Sequence, residues 1–163
     1  MRPYADTNFF TRFYLALPEH RAAVGRVEEA NREGAALLPI TWLHRLELVN
    51  ALQLHVFAGV QRGQTRITAE QAAAALATFR EHLEAREFLG HAALDAAALE
   101  AQFEALSLRH TARYGFRTYD LLHVSSALVL GCDGFWSFDP KAARLAALEG
   151  LATYPTSVHG AGR

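Results

Sequence analysis

Lysine is almost missing from this chain of 163 residues: of 16 basic residues, Lys141 is the one lysine and 15 are arginine. Cysteine is as scarce. Cys132 stands alone, which excludes an internal disulfide and a zinc site built on paired cysteines. No stretch approaches the ~20 consecutive apolar residues needed to cross a bilayer. Asp6 stands where a secretory signal would need its apolar centre. These absences point away from the membrane and toward a reducing cytoplasm as the expected location. Net charge is also small, at −1, which excludes a protein that coats nucleic acid by bulk charge. No repeat, low-complexity tract or linker breaks the chain. One domain is expected over residues 1–154, with a loose tail at 155–163, where Gly and small polar residues collect.

What is present is apolar and, in a few places, pointedly acidic. Hydrophobic residues make up 51% of the chain, enough for a real core at this length. Asp6, Glu47, Asp120 and Asp139 each interrupt an apolar stretch: Tyr4-Ala5-Asp6-Thr7-Asn8-Phe9-Phe10, Leu46-Glu47-Leu48-Val49, Tyr119-Asp120-Leu121-Leu122 and Phe135-Trp136-Ser137-Phe138-Asp139-Pro140. An ionised carboxylate is costly to bury without a partner. If the fold gathers the four, their repulsion is relieved by a bound cation or by proton uptake. Hard oxygen ligands suit Mg²⁺ or Mn²⁺, a catalyst for phosphodiester chemistry. With the four offset by metal, 16 basic residues face 13 acidic ones. A weakly basic surface around an acidic pocket is compatible with RNA or DNA, and the guanidinium fork of Arg matches phosphate.

The pattern predicts short strands alternating with helices. Residues 2–6 read as a strand, 9–16 and 19–33 as helices separated by Pro18 and closed by Gly34, and Ala35–Ile40 as a buried strand. Thr41 caps a helix from Trp42 to about Phe57, and Gly59–Thr65 reads as a polar turn. Thr68 with Gln71 forms a capping box for the next helix. Phe88–Leu94 reads as a strand, Asp95 as a cap, and Thr118–Leu130 as a helix apolar nearly all round, hence central. Gly134–Phe138 is a strand, Asp139-Pro140 opens a helix ending near Gly150, and Leu151–Tyr154 is the last strand. Such alternation predicts an α/β fold with a mostly parallel sheet. The site then lies outside the carboxyl ends of the strands, where Asp6 and Asp139 stand.

Each acid also has an ordinary reading. Asp6 and Asp139 can cap the helices they precede, and Asp120 lies in a first turn, where the helix dipole favours an anion. Glu47 is more than a turn inside its helix, with His44, Asn50 and Ala51 as ridge neighbours in a narrow polar stripe. Asp95 and Asp133 read as cap and turn. His44 and His123, each one turn from an acid, are core histidines or metal ligands. Thr7, Asn8 and Ser137 flank the acids and either orient them, hold metal-bound water, or serve as turn residues. Arg109, His110, Arg113 and Arg117 form either a solvated helix face or a track for phosphates.

Taken together, Asp6-Thr7-Asn8 after an early strand, Glu47-Leu48-Val49-Asn50 on a helix, Tyr119-Asp120-Leu121-Leu122-His123 and Phe135-Trp136-Ser137-Phe138-Asp139 resemble the four motifs of PIN-domain nucleases, most nearly the VapC-type toxins of bacterial toxin–antitoxin pairs. The likeness runs from Tyr4 to about Tyr154. It implies a three-layer α/β/α sandwich with a short, mostly parallel sheet. It also implies a Mg²⁺- or Mn²⁺-dependent endoribonuclease acting on RNA, a small antitoxin partner and a homodimer. Asp6, Glu47, Asp120 and Asp139 would be the catalytic, metal-binding quartet, supported by Thr7, Asn8 and Ser137, with Arg113 and Arg117 toward the substrate. The stretch between Glu47 and Asp120 is long for a small member of this group.

Other classes predict different features. A phosphotransfer or receiver-like protein using Asp6 has a second acid near it; Asn8 occupies the position two residues on, although Lys141 is present. A di-iron bundle would use His44-x-x-Glu47 and Asp120-x-x-His123 and contain no strands. A non-catalytic PIN-like binding module is the remaining alternative, and it has no need of all four acids.

Overall fold

The structure, a computed structural model, describes residues 1–62 and 67–155. Its elements in chain order are β1 (Pro3–Ala5), α1 (Thr7–Tyr14), α2 (His20–Arg32), β2 (Leu38–Ile40), α3 (Trp42–Arg62), α4 (Ala69–Ala85), β3 (Leu89–His91), α5 (Ala96–Leu106), α6 (Ala112–Tyr114), α7 (Thr118–Val129), β4 (Gly134–Trp136), α8 (Pro140–Leu148) and β5 (Ala152–Tyr154). A five-residue π-helical stretch, Ser107–Thr111, joins α5 to α6. The chain forms two compact units, one made of Met1–Asp6 with the chain from Leu94 onward, the other of Thr7–Ala93. Among the described residues, no helix is long and apolar enough to cross a membrane.

In the first unit β1, β4 and β5 form a parallel sheet in the order β1-β4-β5. Pro3 pairs with Gly134 and Ala5 with Trp136, while Gly134 and Trp136 pair on the other side with Ala152 and Tyr154. All three residues of β1 and all three of β4 are buried. Strands covered on both faces read as continuous apolar runs, which is why no alternation marks them in the sequence. Tyr4 and Phe135 stack nearly parallel, with ring centroids 5.7 Å apart. They belong to one core with Leu121 and Val124 of α7 and Leu145 and Ala146 of α8. As its composition predicts, α7 is buried on most sides, with Leu121, His123, Val124, Ser125, Ser126 and Ala127 all inside. Gly131 (φ +65°) ends it: Cys132 N–H reaches the Ala127 carbonyl and Gly131 N–H that of Leu128. A left-handed residue is needed there, and Gly adopts it without strain.

In the second unit β2 and β3 pair in parallel, Leu38 opposite Leu89 and Ile40 opposite His91. Phe10 of α1 meets the rings of His44 on α3 and Phe79 on α4 edge-on, at 5.7 and 6.2 Å. The Thr68–Gln71 capping box of α4 forms in both directions, at 2.9 and 3.1 Å.

The parallel α/β class is as expected, and five strands exclude the helical bundle. Boundaries moved. The strands shrink to three residues each, and α1 begins at Thr7. The helix expected to stop at Phe57 continues through Gly59 to Arg62. Gly59 is buried, and one helical Gly costs only ~1 kcal/mol, less than an early end would lose in burial and backbone bonds. The rest of the expected turn, 63–65, and the expected tail beyond Pro155 lie outside the described residues.

Candidate active site

Two parallel neighbours end side by side, so the residues leaving β1 and β4 emerge together at their carboxyl edge. Asp6 is the first residue past β1; its N–H continues the ladder to the Trp136 carbonyl at 3.1 Å, and it is 4% exposed. Ser137, the first past β4, donates its N–H to the Tyr154 carbonyl at 2.9 Å. Its buried hydroxyl oxygen accepts the Asp139 N–H at 2.9 Å, closing a tight turn. Asp139 Oδ1 then accepts the Lys141 N–H at 2.8 Å, so Asp139 caps α8, with Pro140 at the first helical position.

Asp120 enters from α7. It is 9% exposed, and its Oδ2 accepts the Arg117 N–H at 3.0 Å. Burial raises its carboxyl above the ordinary range. The Arg117 N–H opposes that rise, the charge of Asp139 adds to it, and the charges of Arg117 and Lys141 oppose it again. Asp120 and Asp139 are therefore electrostatic neighbours. Each spends one carboxylate oxygen on a helix start, and the other oxygen makes no hydrogen bond among the described residues.

His123 lies one turn after Asp120, but its Nδ1 is bonded to the Tyr4 hydroxyl at 2.8 Å and it is buried. It anchors α7 to β1 two residues before Asp6, a positioning role that sequence reasoning left open. Arg109 and His110, read as part of the basic run, are instead turned onto Glu149. Arg109 reaches both carboxylate oxygens at 2.7 and 2.9 Å, and His110 Nε2 lies 2.6 Å from Oε1. Burial alone would raise the Glu149 carboxyl; the His110 and Arg109 hydrogen bonds and charges outweigh it and hold the group below the usual carboxylate range. Partners 39 and 40 residues apart leave no local mark in sequence. Arg113 and Arg117 remain exposed.

The second unit carries Glu47, half-buried on α3. Its Oε2 accepts the Thr7 hydroxyl at 2.7 Å. Thr7 opens α1 and follows Asp6 in the chain. The polar stripe expected around Glu47 does not form a face: His44 is fully buried and its Nδ1 accepts the Thr41 N–H at 3.1 Å, tying down the start of α3, whereas Asn50 is exposed. Asn8 Oδ1 is buried with no hydrogen-bond partner among the described residues.

Among the described residues, no three His, Cys, Asp or Glu side chains stand close enough to hold a metal as they are. The donor chemistry nonetheless suits a hard divalent cation: carboxylate oxygens, one on each of Asp120 and Asp139 left unbonded, and a repulsion between the two that a cation would relieve.

No curated protein matches the chain by sequence. Among solved structures, Mycobacterium tuberculosis VapC20, described as a sarcin–ricin loop cleaving toxin, shares the fold with a TM-score of 0.58 at 16% identity, over 92% of this chain and 96% of that one. A family model described as PIN domain matches residues 4–148, a span that takes in Asp6, Glu47, Asp120 and Asp139, and the chain belongs to the PIN-domain family.

Proposed function

We propose that this protein is a Mg²⁺- or Mn²⁺-dependent endoribonuclease, the toxin of a type II toxin–antitoxin pair, built as one domain over residues 1–154. The observation that carries the reading is the arrangement of three aspartates in the first unit. Asp6 and Asp139 follow the carboxyl ends of adjacent parallel strands, where α/β folds place their sites, and Asp120 feels the charge of Asp139. Family membership and the fold shared with an RNA-cleaving toxin support it.

Asp6, Asp120 and Asp139 would hold the ion directly or through water, and Glu47 would be the fourth acid, ligating or positioning the attacking water. When bound, the ion supplies Lewis acidity toward water and toward the scissile phosphate. The protein's own groups set the geometry. Ser137 fixes the turn that presents Asp139, and the Tyr4–His123 bond holds α7 and with it Asp120. Thr7 orients Glu47 by its hydroxyl. Asn8 is the remaining support, through a buried oxygen that no described residue satisfies. Arg113 and Arg117, both exposed, meet substrate phosphates. No nucleophilic side chain is required. A small antitoxin that blocks the site, a homodimeric state and a cytoplasmic location complete the reading.

RNA cleavage measured with Mg²⁺, with EDTA, and in Asp6→Asn tests it. Asp6→Asn keeps the shape of the side chain and removes one negative donor, so the rate should fall by ~100-fold or more while circular dichroism is unchanged. Wild-type cleavage by Asp6→Asn, or cleavage indifferent to EDTA, would overturn it.

A further inference from the structure

The surface beside Asp120 and Asp139 is built from the segment before α7 and the first turns of α8. Lys141 Nζ donates to the Gly115 carbonyl at 3.4 Å. The guanidinium groups of Arg144 and Arg113 lie 4.4 and 5.1 Å from the Tyr114 ring centroid. Arg117 and Lys141 are both near enough to Asp120 to lower its carboxyl. These contacts put four cations on one patch. Among the described residues none of the four forms an ion pair with a carboxylate, unlike Arg109 on the same run, which is spent on Glu149. Cations left unpaired around a pair of acids mark where a polyanion is expected.

Tyr119 completes the patch. It stands between Arg117 and Asp120 on the first turn of α7, is 55% exposed, and makes no hydrogen bond or ring contact among the described residues. An aromatic ring held bare beside phosphate-facing cations is the arrangement with which proteins stack unpaired bases. A duplex keeps its base faces inside the helix and offers such a ring nothing to stack on.

We propose that Tyr119 stacks one unpaired base of the substrate next to the cleaved bond, while Arg117 and Lys141 take the adjoining phosphates and Arg113 and Arg144 extend the track across Tyr114. The substrate is then engaged as single-stranded RNA, or as the unpaired part of a folded RNA. This inference rests on the nuclease reading for its direction but is tested by binding alone.

The test is fluorescence anisotropy in EDTA, with a labelled unstructured RNA oligonucleotide and its duplex as probes. Wild type should bind the single strand more tightly than the duplex. Tyr119→Ala should weaken single-strand binding by ~5- to 100-fold, and Tyr119→Phe, which keeps the ring, should stay within ~3-fold of wild type. Lys141→Ala should lower the salt dependence of log K by about one phosphate contact. Equal binding by wild type and Tyr119→Ala, equal losses in the Ala and Phe variants, tighter binding of the duplex, or no RNA binding at all overturns the proposal. A Mg²⁺ cleavage assay on the same samples separates the two readings. Tyr119-dependent binding without cleavage sinks the nuclease reading and leaves this one; cleavage with an unchanged KM in Tyr119→Ala does the reverse.

Discussion

Replacing Glu149 by Gln should cost about 2–3 kcal/mol of stability at neutral pH, although Glu149 lies at the far end of α8 from Asp139. Glu149 closes α8 through its backbone N–H, and its carboxylate receives three donor contacts, from Arg109 at 2.7 and 2.9 Å and from His110 at 2.6 Å. The side chains of Glu149 and His110 are each 10% exposed, whereas that of Arg109 is 56% exposed. A buried hydrogen bond to a charged group contributes ~1.5–3 kcal/mol. The Arg109 arm, in contact with solvent, adds at most ~1 kcal/mol. Gln keeps the volume and one acceptor oxygen but loses the charge. For a chain of this size the loss corresponds to a fall in Tm on the order of 5–10 °C. The pH dependence has a definite sign. The folded carboxyl lies below its unfolded value, so the folded state binds fewer protons in that window and stability rises with pH across it. The wild-type advantage is complete above the unfolded pKa, about 4.3, and disappears as pH falls through the lower folded value. Thermal melts of both proteins across this range check it. A Tm difference under ~2 °C at neutral pH, or one that widens with acid, refutes the reasoning.

Two further outcomes follow from the site. Mg²⁺ or Mn²⁺ at ~100 times its dissociation constant should stabilise the wild type by ~2.7 kcal/mol, read as a rise in Tm, and Asp139→Asn should abolish the rise; an equal rise in that variant removes Asp139 from the donor set. Tyr4→Phe deletes the buried hydroxyl bonded to His123 and should cost ~1–3 kcal/mol in a denaturant titration, with RNA cleavage reduced if α7 loosens around Asp120; unchanged stability would show that the bond does not anchor the helix.

Much of the fold was legible because it is written in local chemistry. Thr68 with Gln71, Asp95, Asp139 with Pro140, and Gly34 at the end of α2 all do in the structure what their residue types require nearby in sequence. The strands were found but read too long, since apolar residues flanking a three-residue ladder are buried without pairing. The π-helical turn at Ser107–Thr111 was not legible, because the Glu149 carboxylate that Arg109 and His110 reach from it is some 40 residues away. The end of α3 was misplaced for a related reason: Gly59 looks like a stop until its burial is known.

The candidate site was harder to weigh, because ordinary and functional readings of an acid at a helix start are not alternatives. Asp120 and Asp139 both behave as capping residues, each giving one oxygen to a backbone N–H. Capping accounts for that oxygen and for the position; it does not account for the second oxygen, for the burial of Asp120, or for placing the charge of Asp139 where it raises the Asp120 carboxyl. A fold selected for stability alone would meet the same N–H groups with Ser or Thr, which cap as well and do not repel. The caps are therefore what hold the carboxylates rigid, and the leftover oxygens are what a cation would use. His44 and His123 show the converse: both stand at ligand spacing from an acid, yet both rings are buried in the core of their own unit, with Nδ1 held by Thr41 and by Tyr4. Spacing along a helix names the residues that can share a face. Whether a polar atom is left facing outward from the core decides which of them can bind.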